Sequence, residues 1–278
     1  MYPITMMCKV LKVNRSTVYK ILNHKISHQA MDQIDLEQRI IDIYNEFEGI
    51  YGAPKIQREL LKQDYYTTVK RISKYMKRLG LRSITTKKYK PGKNEKTPDG
   101  KENILVQDFS TSRPNQKWSM DITYVWTVYD GWTYLASVMD MHSKIILGYS
   151  YQKHMRKEMV LESIQQAVYK TYDTRGILIQ SDLGSQYLSY EVEAYLRANG
   201  IRHSYSRKSI PQDNSPIEAF HSIIKREKLS RIVLKTYEEA KTVIFKYIEG
   251  FYNRKRIHGS IDYLTPHEVH YSKREILT

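Results

Sequence analysis

Apolar side chains recur at helical spacing in the first part of the chain. Residues 35–47 read DLEQRIIDIYNEF, and their apolar positions lie three or four residues apart, which predicts an amphipathic helix. Gly52 ends this pattern, and Pro54 suits the first turn of a second predicted helix, PKIQRELL. A third predicted helix, TTVKRISKYMKRLG, ends at Gly80, a residue type that favours helix C-termini. The three helices predict a small all-α module over residues 31–86.

A shorter helical pattern precedes this module. The stretch CKVLKVNRSTVYKIL predicts a short helix, a turn at Val13 and Asn14, and a second helix from Ser16. Helix-turn-helix segments have this pattern, but so do ordinary helical hairpins, and both interpretations stay open. We assign residues 1–30 as a partial helix-turn-helix-like segment at the start of an all-α region.

The pattern changes to period two in the second half of the chain. KWSMDITYVW alternates, Asp130 and Gly131 signal a turn, and WTYLASVMD and KIILGYSY predict two further strands. A helix over 156–172, the strand GILIQ, the helix YEVEAYLRANG, the strand IRHSYS and a last helix follow. The predicted order β-β-β-α-β-α-β-α packs naturally as a mixed five-stranded sheet flanked by helices. This α/β domain is assigned to residues 115–278.

Between the two patterns lies a segment without periodicity, KKYKPGKNEKTPDGK, so residues 87–114 are predicted to be a basic linker. The 278-residue chain has 45 Lys+Arg against 30 Asp+Glu, a formal charge of +15. Residues 69–101 hold twelve of these cations and only two acids. This surplus of ten positive charges is two thirds of the net charge. A solvated charged linker has such a composition, but a segment that binds along the phosphate backbone of a nucleic acid is the stronger interpretation.

The third predicted helix contributes five of these cations, which favours DNA binding by the helical module. A helical hairpin that only packs on a neighbour is the alternative. The candidate DNA-binding residues on this helix are Lys70, Arg71, Lys74, Lys77 and Arg78.

Cysteine usage and hydropathy restrict the cellular compartment. Cys8 is the only cysteine, so the chain cannot form an intramolecular disulfide and fits a reducing compartment. The nine histidines show no paired spacing typical of zinc sites. We find no signal peptide and no apolar run of about 18 residues. We therefore expect a cytoplasmic protein without a membrane partner.

Two aspartates are placed where chemistry often occurs. On the period-two pattern Asp121 lies in mid-strand, and its side chain is on the opposite face of the strand from those of Met120 and Ile122. An acid there is costly unless it is paired, solvated or bound to a metal. Asp182 follows a buried strand where a loop opens, the edge at which open α/β sheets place their sites. Taken singly, each is more typical of a turn or capping residue.

The stretch QDNSPIEAFHSIIK predicts an amphipathic helix with Glu218 near its start. Ser215 and Glu218 have the spacing of a capping box, and Pro216 suits the first turn, which is a purely local explanation. Lys225 lies within about 40° of Glu218 around the helix and about 10 Å along it. The apolar side chains cover the opposite side: Ile217, Phe220, Ile223 and Ile224. The polar face therefore suits a metal ligand and a phosphate anchor.

Three motifs, WSMDITY, QSDLGSQY and DNSPIEAFHSIIKRE, resemble the catalytic signature of the DDE transposase and retroviral integrase superfamily. Asp182 and Glu218 are separated by 35 residues, the interval typical of that superfamily. YGAPKIQREL and VKRISKYMKRLGL before these motifs, and YNRKRIHGSIDYLTPHEV after them, extend the resemblance over nearly the whole chain. The chain most resembles the second-frame subunit, OrfB, of bacterial insertion-sequence transposases that copy out their element through a circular intermediate.

The resemblance implies a ribonuclease H-like fold in which Asp121, Asp182 and Glu218 are catalytic and hold two Mg²⁺ ions, for which Mn²⁺ is expected to substitute. Breaking or joining a phosphodiester requires in-line attack and charge neutralisation on both reacting oxygens, which two ions about 4 Å apart provide. Mg²⁺ binds few carboxylates together with water and substrate oxygens, so three acids suffice. Without metal the carboxylates repel one another, and at least one pKa is expected to rise.

The resemblance also implies roles for residues around the three acids. Lys225 is expected to contact DNA near the scissile end, with a solvated surface lysine as the alternative. Gly184 and Gln186 are expected to shape the loop that follows Asp182. Asn214 either hydrogen-bonds substrate or begins the helix.

Two places in the chain are less clearly assigned. Gln180 stands where relatives commonly carry histidine before Ser-Asp, which puts any role of a histidine there in doubt. Near the C-terminus, a basic run either contacts DNA, with Arg254 as the candidate, or packs the tail onto the domain. That run comprises Tyr252, Asn253, Arg254, Arg256 and His258.

The expected function is that of a DNA transposase catalytic subunit that nicks the 3′ end of an insertion sequence and joins it to another phosphodiester. Expected partners are element-end and target DNA, a second copy of the chain on DNA, and an upstream-frame OrfA partner or fusion, at the bacterial nucleoid. A non-enzymatic DNA-binding regulator and a metal-dependent structure-specific nuclease of the same fold are the rival hypotheses.

Overall fold

The computed structural model describes residues 3–22, 27–84, 102–207 and 210–272. The chain divides into two compact units, Met1–Ser83 and Ile84–Thr278. Residues 87–101 of the predicted linker lie outside the described residues. The four domain boundaries proposed from the sequence stay predictions.

The first unit is all-α, as its helical spacing predicts. Its helices are α1 (Ile4–Leu11), α2 (Arg15–Leu22), α3 (His28–Glu46), α4 (Ala53–Lys62) and α5 (Val69–Arg78). α3 begins seven residues before Asp35, the predicted start, because Ser27 caps it by accepting a hydrogen bond from the Ala30 N–H at 3.2 Å. The buried apolar stripes of α3, α4 and α5 form the core: Leu36, Ile40, Ile56, Leu60 and Ile72.

Gly80 ends α5 as its sequence position predicts. Its φ is +70°, a conformation that glycine adopts without a Cβ penalty. The Leu81 N–H donates to the Met76 carbonyl at 2.8 Å, and the Gly80 N–H donates to the Lys77 carbonyl at 3.3 Å. These two bonds form a Schellman motif that satisfies the last carbonyls of α5.

The second unit contains a mixed five-stranded sheet. Its strands are β1 (Lys117–Thr127), β2 (Gly131–Asp140), β3 (Ile146–Gln152), β4 (Leu178–Ser181) and β5 (Arg202–Tyr205). The strand order is β3-β2-β1-β4-β5, with antiparallel pairing among β1, β2 and β3 and parallel pairing from β1 through β4 to β5. The predicted element order and the ribonuclease H-like fold are confirmed.

Helices cover both faces of this sheet. They are α6 (Lys157–Tyr169), α7 (Tyr190–Ala198), α8 (Ser215–Glu227), α9 (Tyr237–Phe245) with its π-helical continuation Lys246–Tyr252, and α10 (Pro266–Tyr271). Trp118 and Met120 of β1 pack in the core beneath α6 and α7. Val125 of β1 packs with Ile217 and Phe220 on the α8 and α9 side. The period-two assignment of the two faces of β1 is therefore confirmed, and it places Asp121 on the α8 side.

The C-terminal tail packs against the sheet and α8. The Asn253 side chain accepts a hydrogen bond from the Ile146 N–H at 2.9 Å and donates to the Ile146 carbonyl at 3.1 Å. Arg256 donates to Glu227 at 2.7 and 2.9 Å, and both side chains are largely buried. The sequence left open whether the basic run near the C-terminus contacts DNA or packs the tail onto the domain. Asn253 and Arg256 pack the tail onto the domain.

Residues 102–114 contact β5. The Ser204 hydroxyl accepts hydrogen bonds from the Ile104 N–H at 2.9 Å and the Leu105 N–H at 3.0 Å. Leu105 is only 2% exposed. Across the part of the chain that the structure describes, none of the helices combines the length and the apolar character needed to cross a membrane.

Candidate active site

Three different elements carry the predicted acids. Asp121 lies in the middle of β1 on the α8 side, Asp182 directly follows β4, and Glu218 lies in the first turn of α8. β1 and β4 are parallel neighbours, with Ser119 opposite Gln180. Two residues after this pair, Asp121 and Asp182 therefore lie side by side along the sheet. α8 packs against β1, which brings Glu218 over the same edge. We call these three acids the three-carboxylate site.

The acids influence one another electrostatically. Desolvation and, after it, the negative charges of Asp121 and Asp182 raise the pKa of Glu218 to about 7. The pKa of Asp182 is also raised, first by desolvation and then by Asp121, although a hydrogen bond from Gly184 opposes this. Like charges raise each other's pKa only at short range. The rise expected for three converging carboxylates is thus present.

A side chain at Gly184 would crowd the loop after β4. The Gly184 N–H donates to Asp182 Oδ1 at 2.9 Å. A Cβ on Gly184 would lie 3.0 Å from Asp182 Oδ1, 2.9 Å from Gln186 Oε1 and 3.2 Å from Tyr187 Cδ2. Glycine therefore lets the loop fold tightly around the carboxylate.

His221 contacts the site and was not assigned from the sequence. Its Nδ1 lies 3.2 Å from Asp121 Oδ2, and its Nε2 lies 3.3 Å from the Ser137 hydroxyl. The imidazole is buried between α8 and the sheet, and it orients the Asp121 carboxyl group. The available signal was its position three residues after Glu218, which places both on one side of α8.

Tyr187 is a second residue that the sequence did not reveal. It is 2% exposed, and in the described part of the chain its hydroxyl has no hydrogen-bond partner. Burial raises the pKa of this phenol well above its ordinary value, and the charges of Asp121 and Asp182 add to the rise. The hydroxyl thus lies near the two aspartates. Motif and spacing gave no signal for this, because its burial depends on how the loop packs.

The local explanation for Glu218 is wrong. α8 begins at Ser215, so Ser215 is its first helical residue and Asn214 occupies the N-cap position without a side-chain cap bond. No capping box forms there. The buried Asn214 instead donates from Nδ2 to the Met120 carbonyl at 2.9 Å, which ties the start of α8 to β1 beside Asp121.

Lys225 lies two turns from Glu218 on α8 and is half-buried. Desolvation lowers the pKa of its amine, and the charge of Asp121 opposes that shift. The amine is therefore near the three-carboxylate site. Its contact with DNA stays a prediction.

The donor set of the three-carboxylate site fits Mg²⁺, which prefers carboxylate oxygens. With the side chains as they stand, no group of three or more His, Cys, Asp or Glu residues within the described ranges has the geometry of a metal site. Asp182 points to the Gly184 N–H and Asp121 to His221. Each of these contacts uses one oxygen of the carboxylate, which leaves the second oxygen for a cation.

The remaining predicted residues lie on the surfaces of the two units. α5 buries Ile72, Tyr75 and Met76 and presents its cations on the other side. Lys70, Lys74 and Lys77 are exposed, whereas Arg78 pairs with Glu37. Arg71 lies over the Tyr75 ring at 5.6 Å. In the second unit Arg254 is exposed, and the buried Gln180 donates to the Ser206 hydroxyl at 2.9 Å.

Comparison with known proteins agrees with this architecture. The HTH-like domain model matches residues 31–89, and two integrase core domain models match residues 111–211 and 199–266. The transposase for insertion sequence element IS904 of Lactococcus lactis is 34% identical over 88% of this chain and 97% of its own length. Transposase InsF for insertion sequence IS3A of Escherichia coli K12 is 32% identical over 96% of this chain and 93% of its own length.

Among solved structures, the HTLV-2 integrase catalytic core domain in complex with magnesium is 18% identical, with a TM-score of 0.44 over 58% of this chain and 99% of that one. The curated relatives are matched along nearly their whole length, and the integrase core models cover the three-carboxylate site. This chain therefore belongs to the insertion-sequence transposase family that includes the IS3 and IS904 enzymes, within the DDE transposase and retroviral integrase superfamily.

Proposed function

We propose that this chain is the catalytic subunit of a DNA transposase, which nicks the 3′ end of an insertion sequence and joins that end to another phosphodiester. Asp121, Asp182 and Glu218 are its catalytic, metal-binding residues. The observation that carries the proposal is the convergence of carboxyl groups from β1, the loop after β4 and α8, where desolvation and then neighbouring negative charge raise the pKa of Asp182 and of Glu218. Such a concentration of negative charge costs stability unless a cation is bound.

In the first step a water oxygen attacks the phosphorus, the P–O3′ bond breaks, and the element end is released with a free 3′-OH. In the second step this 3′-OH attacks a second phosphodiester, a new P–O bond forms and the former neighbour leaves as an alcohol. Divalent cations, two Mg²⁺ or Mn²⁺, would supply charge neutralisation on the attacking and leaving oxygens. The proposal requires no nucleophilic serine or tyrosine.

The residues around the three acids have supporting roles. His221 and Gly184 hold the carboxyl groups of Asp121 and Asp182 in place. Lys225 provides a cation beside Asp121 that can neutralise a phosphate of the scissile strand. Asn214 anchors α8 to β1 and so keeps Glu218 at the sheet edge.

Binding of the DNA ends is assigned to the basic surface of α5, through Lys70, Arg71, Lys74, Lys77 and Arg78, with Arg254 as a contact on the second unit. Exposed cations that neutralise backbone phosphates bind DNA without sequence readout. Since two ends are joined to one target, we expect the chain to act as an oligomer on DNA, with OrfA as a partner or fusion.

The test is an assay with purified protein, labelled insertion-sequence end DNA and Mg²⁺ or Mn²⁺. Asp182→Asn is expected to abolish both nicked and joined products while gel-shift binding persists, and EDTA should act in the same way on the parent. Asp262→Asn is the matched control, because it removes the same charge from an exposed position of the same unit.

The outcomes separate the three hypotheses. Binding without any metal-dependent strand breakage indicates a regulator, and nicking without joining indicates a nuclease. Unchanged cleavage by Asp182→Asn would refute the assignment of the three acids.

A further inference from the structure

A basic pocket lies at the edge of the sheet where β4 and β5 begin. Its volume is about 700 Å³. Gly176 and Leu178 are among the residues that line it, together with four cations. These cations are Arg113, Lys117, Arg175 and Arg202. We call this cavity the arginine pocket.

Two of the four cations are neutralised by neighbouring acids. Lys117 Nζ lies 2.8 Å from Asp108, and Arg175 forms a two-pronged pair with Asp173 at 2.9 Å. Lys117 holds the pKa of Asp108 down to about 2, and Arg175 does the same for Asp173. These pairs shape the rim but leave no free charge.

Arg113 and Arg202 are different. Both are exposed, and over the ranges that the structure describes neither guanidinium makes a hydrogen bond or an ion pair. Arg113 acts electrostatically on Asp173, but that carboxylate already pairs with Arg175. The arginine pocket therefore carries two uncompensated positive charges, which come from residues 89 positions apart in the chain.

The pocket is separate from the three-carboxylate site. Leu178 begins β4, and Asp182 follows its other end. At about 3.3 Å per residue the two lie roughly 13 Å apart along the strand. β5 is parallel to β4, so Arg202 also lies at the starting edge. The pocket and the three acids therefore lie at opposite ends of β4.

Unpaired guanidiniums suit phosphate oxygens, because arginine can donate parallel N–H groups to them. Among the hydroxyl groups of the pocket residues, that of Ser110 donates to Asp108 and that of Ser112 hydrogen-bonds with Gln116. The two arginines are therefore the groups that would hold an anion such as a phosphate.

We propose that the arginine pocket binds backbone phosphates of a second DNA segment, distinct from the segment at the three-carboxylate site. The identification of the phosphate source as DNA rests on the proposed function, since joining one DNA to another requires two segments on one protein assembly. Arg113 and Arg202 each take one phosphate contact.

The experiment measures capture of a second DNA. Full-length protein is loaded on an immobilised element-end duplex, and binding of a labelled duplex of unrelated sequence is followed over a range of KCl concentrations. The double variant Arg113→Gln/Arg202→Gln is compared with Arg156→Gln/Arg197→Gln, which removes two charges from exposed arginines elsewhere on the same unit. Thermal stability of each metal-free protein with inorganic phosphate is measured in parallel.

The pocket variant is expected to nick the first duplex as the parent does but to capture the second duplex more weakly. The log–log salt dependence of capture should become shallower by about two, one for each lost phosphate contact. Equal capture by the pocket and control variants overturns the inference. It is also overturned if the pocket variant loses stabilisation by inorganic phosphate but captures the second duplex as well as the parent does. If the parent fails to nick DNA while the capture difference persists, the proposed function fails and the inference stands.

Discussion

Single side chains determine the electrostatics of the three-carboxylate site. Glu218 remains exposed on α8, but packing partly desolvates its carboxyl group, which also faces two negative charges, and its pKa rises to about 7. His221 and the Gly184 N–H stabilise the neighbouring aspartates. Glu218 is thus the acid whose charge depends most on what else occupies the site.

The first prediction concerns the pH dependence of stability in metal-free protein. Because the pKa of Glu218 is higher in the folded state than its ordinary value, the folded state binds more protons, and stability falls as pH rises from about 4.5 to about 7. Glu218→Gln is expected to flatten this part of the curve. Urea unfolding in EDTA across that pH range measures it.

Glu158→Gln is the matched control, because Glu158 occupies the first turn of α6 as Glu218 occupies that of α8. It should leave the slope unchanged. Parallel curves for the parent and Glu218→Gln would show that the pKa of Glu218 is not raised in solution.

At the scale of elements, the loop between β4 and α7 positions Asp182 by close packing. It follows a strand whose four residues are all buried, so its start is held firmly by the sheet. Around Asp182 a Cβ at position 184 would make tight contacts with Asp182 and Tyr187. The loop therefore has little freedom to accept larger residues there.

The second prediction is that Gly184→Ala lowers the nicking rate by roughly a hundredfold, since a displacement of about 1 Å at a reacting group costs about that much. The new methyl group would lie 3.0 Å from Asp182 Oδ1 and push the carboxyl group or the loop aside. Initial nicking rates and the unfolding midpoint are measured together, and the midpoint should move little.

Gly250→Ala serves as its control, because a Cβ at Gly250 meets no atom within 4 Å. It should nick like the parent. Should Gly184→Ala retain full activity, the close packing around Asp182 would have no functional weight.

At the scale of the whole molecule, the C-terminal tail completes the second unit. Arg256 and Glu227 form a buried pair, and the Tyr247 hydroxyl donates to Glu227 at 2.6 Å. Thr265 and Glu268 form a capping box that starts α10. The buried pair joins the end of α8, which carries Glu218 and Lys225, to the tail.

The third prediction is that Glu227→Gln destabilises the protein by about 3–5 kcal/mol, because it leaves the Arg256 guanidinium buried without its counter-ion. Chemical denaturation of the parent and variant gives this difference. Asp173→Asn breaks an exposed pair with Arg175 and is expected to change the free energy of unfolding far less than Glu227→Gln does. Equal effects of the two substitutions would mean that the Glu227–Arg256 pair is not buried in solution.

The sequence by itself determined the order and type of the elements and the residues of the three-carboxylate site. Period-two alternation assigned the faces of β1, helical spacing assigned the buried side of α8, and three motifs singled out Asp121, Asp182 and Glu218. Such features are local, because backbone geometry decides which side chains share a face within one strand or helix.

Only the tertiary structure decided which distant residues meet. It showed that Ser215 and Glu218 form no capping box, that His221 contacts Asp121, and that the Tyr187 hydroxyl is buried near two aspartates. It also formed the arginine pocket from Arg113 and Arg202. These contacts depend on how whole elements pack, and because periodicity specifies a face but not its partner, no local pattern could predict them.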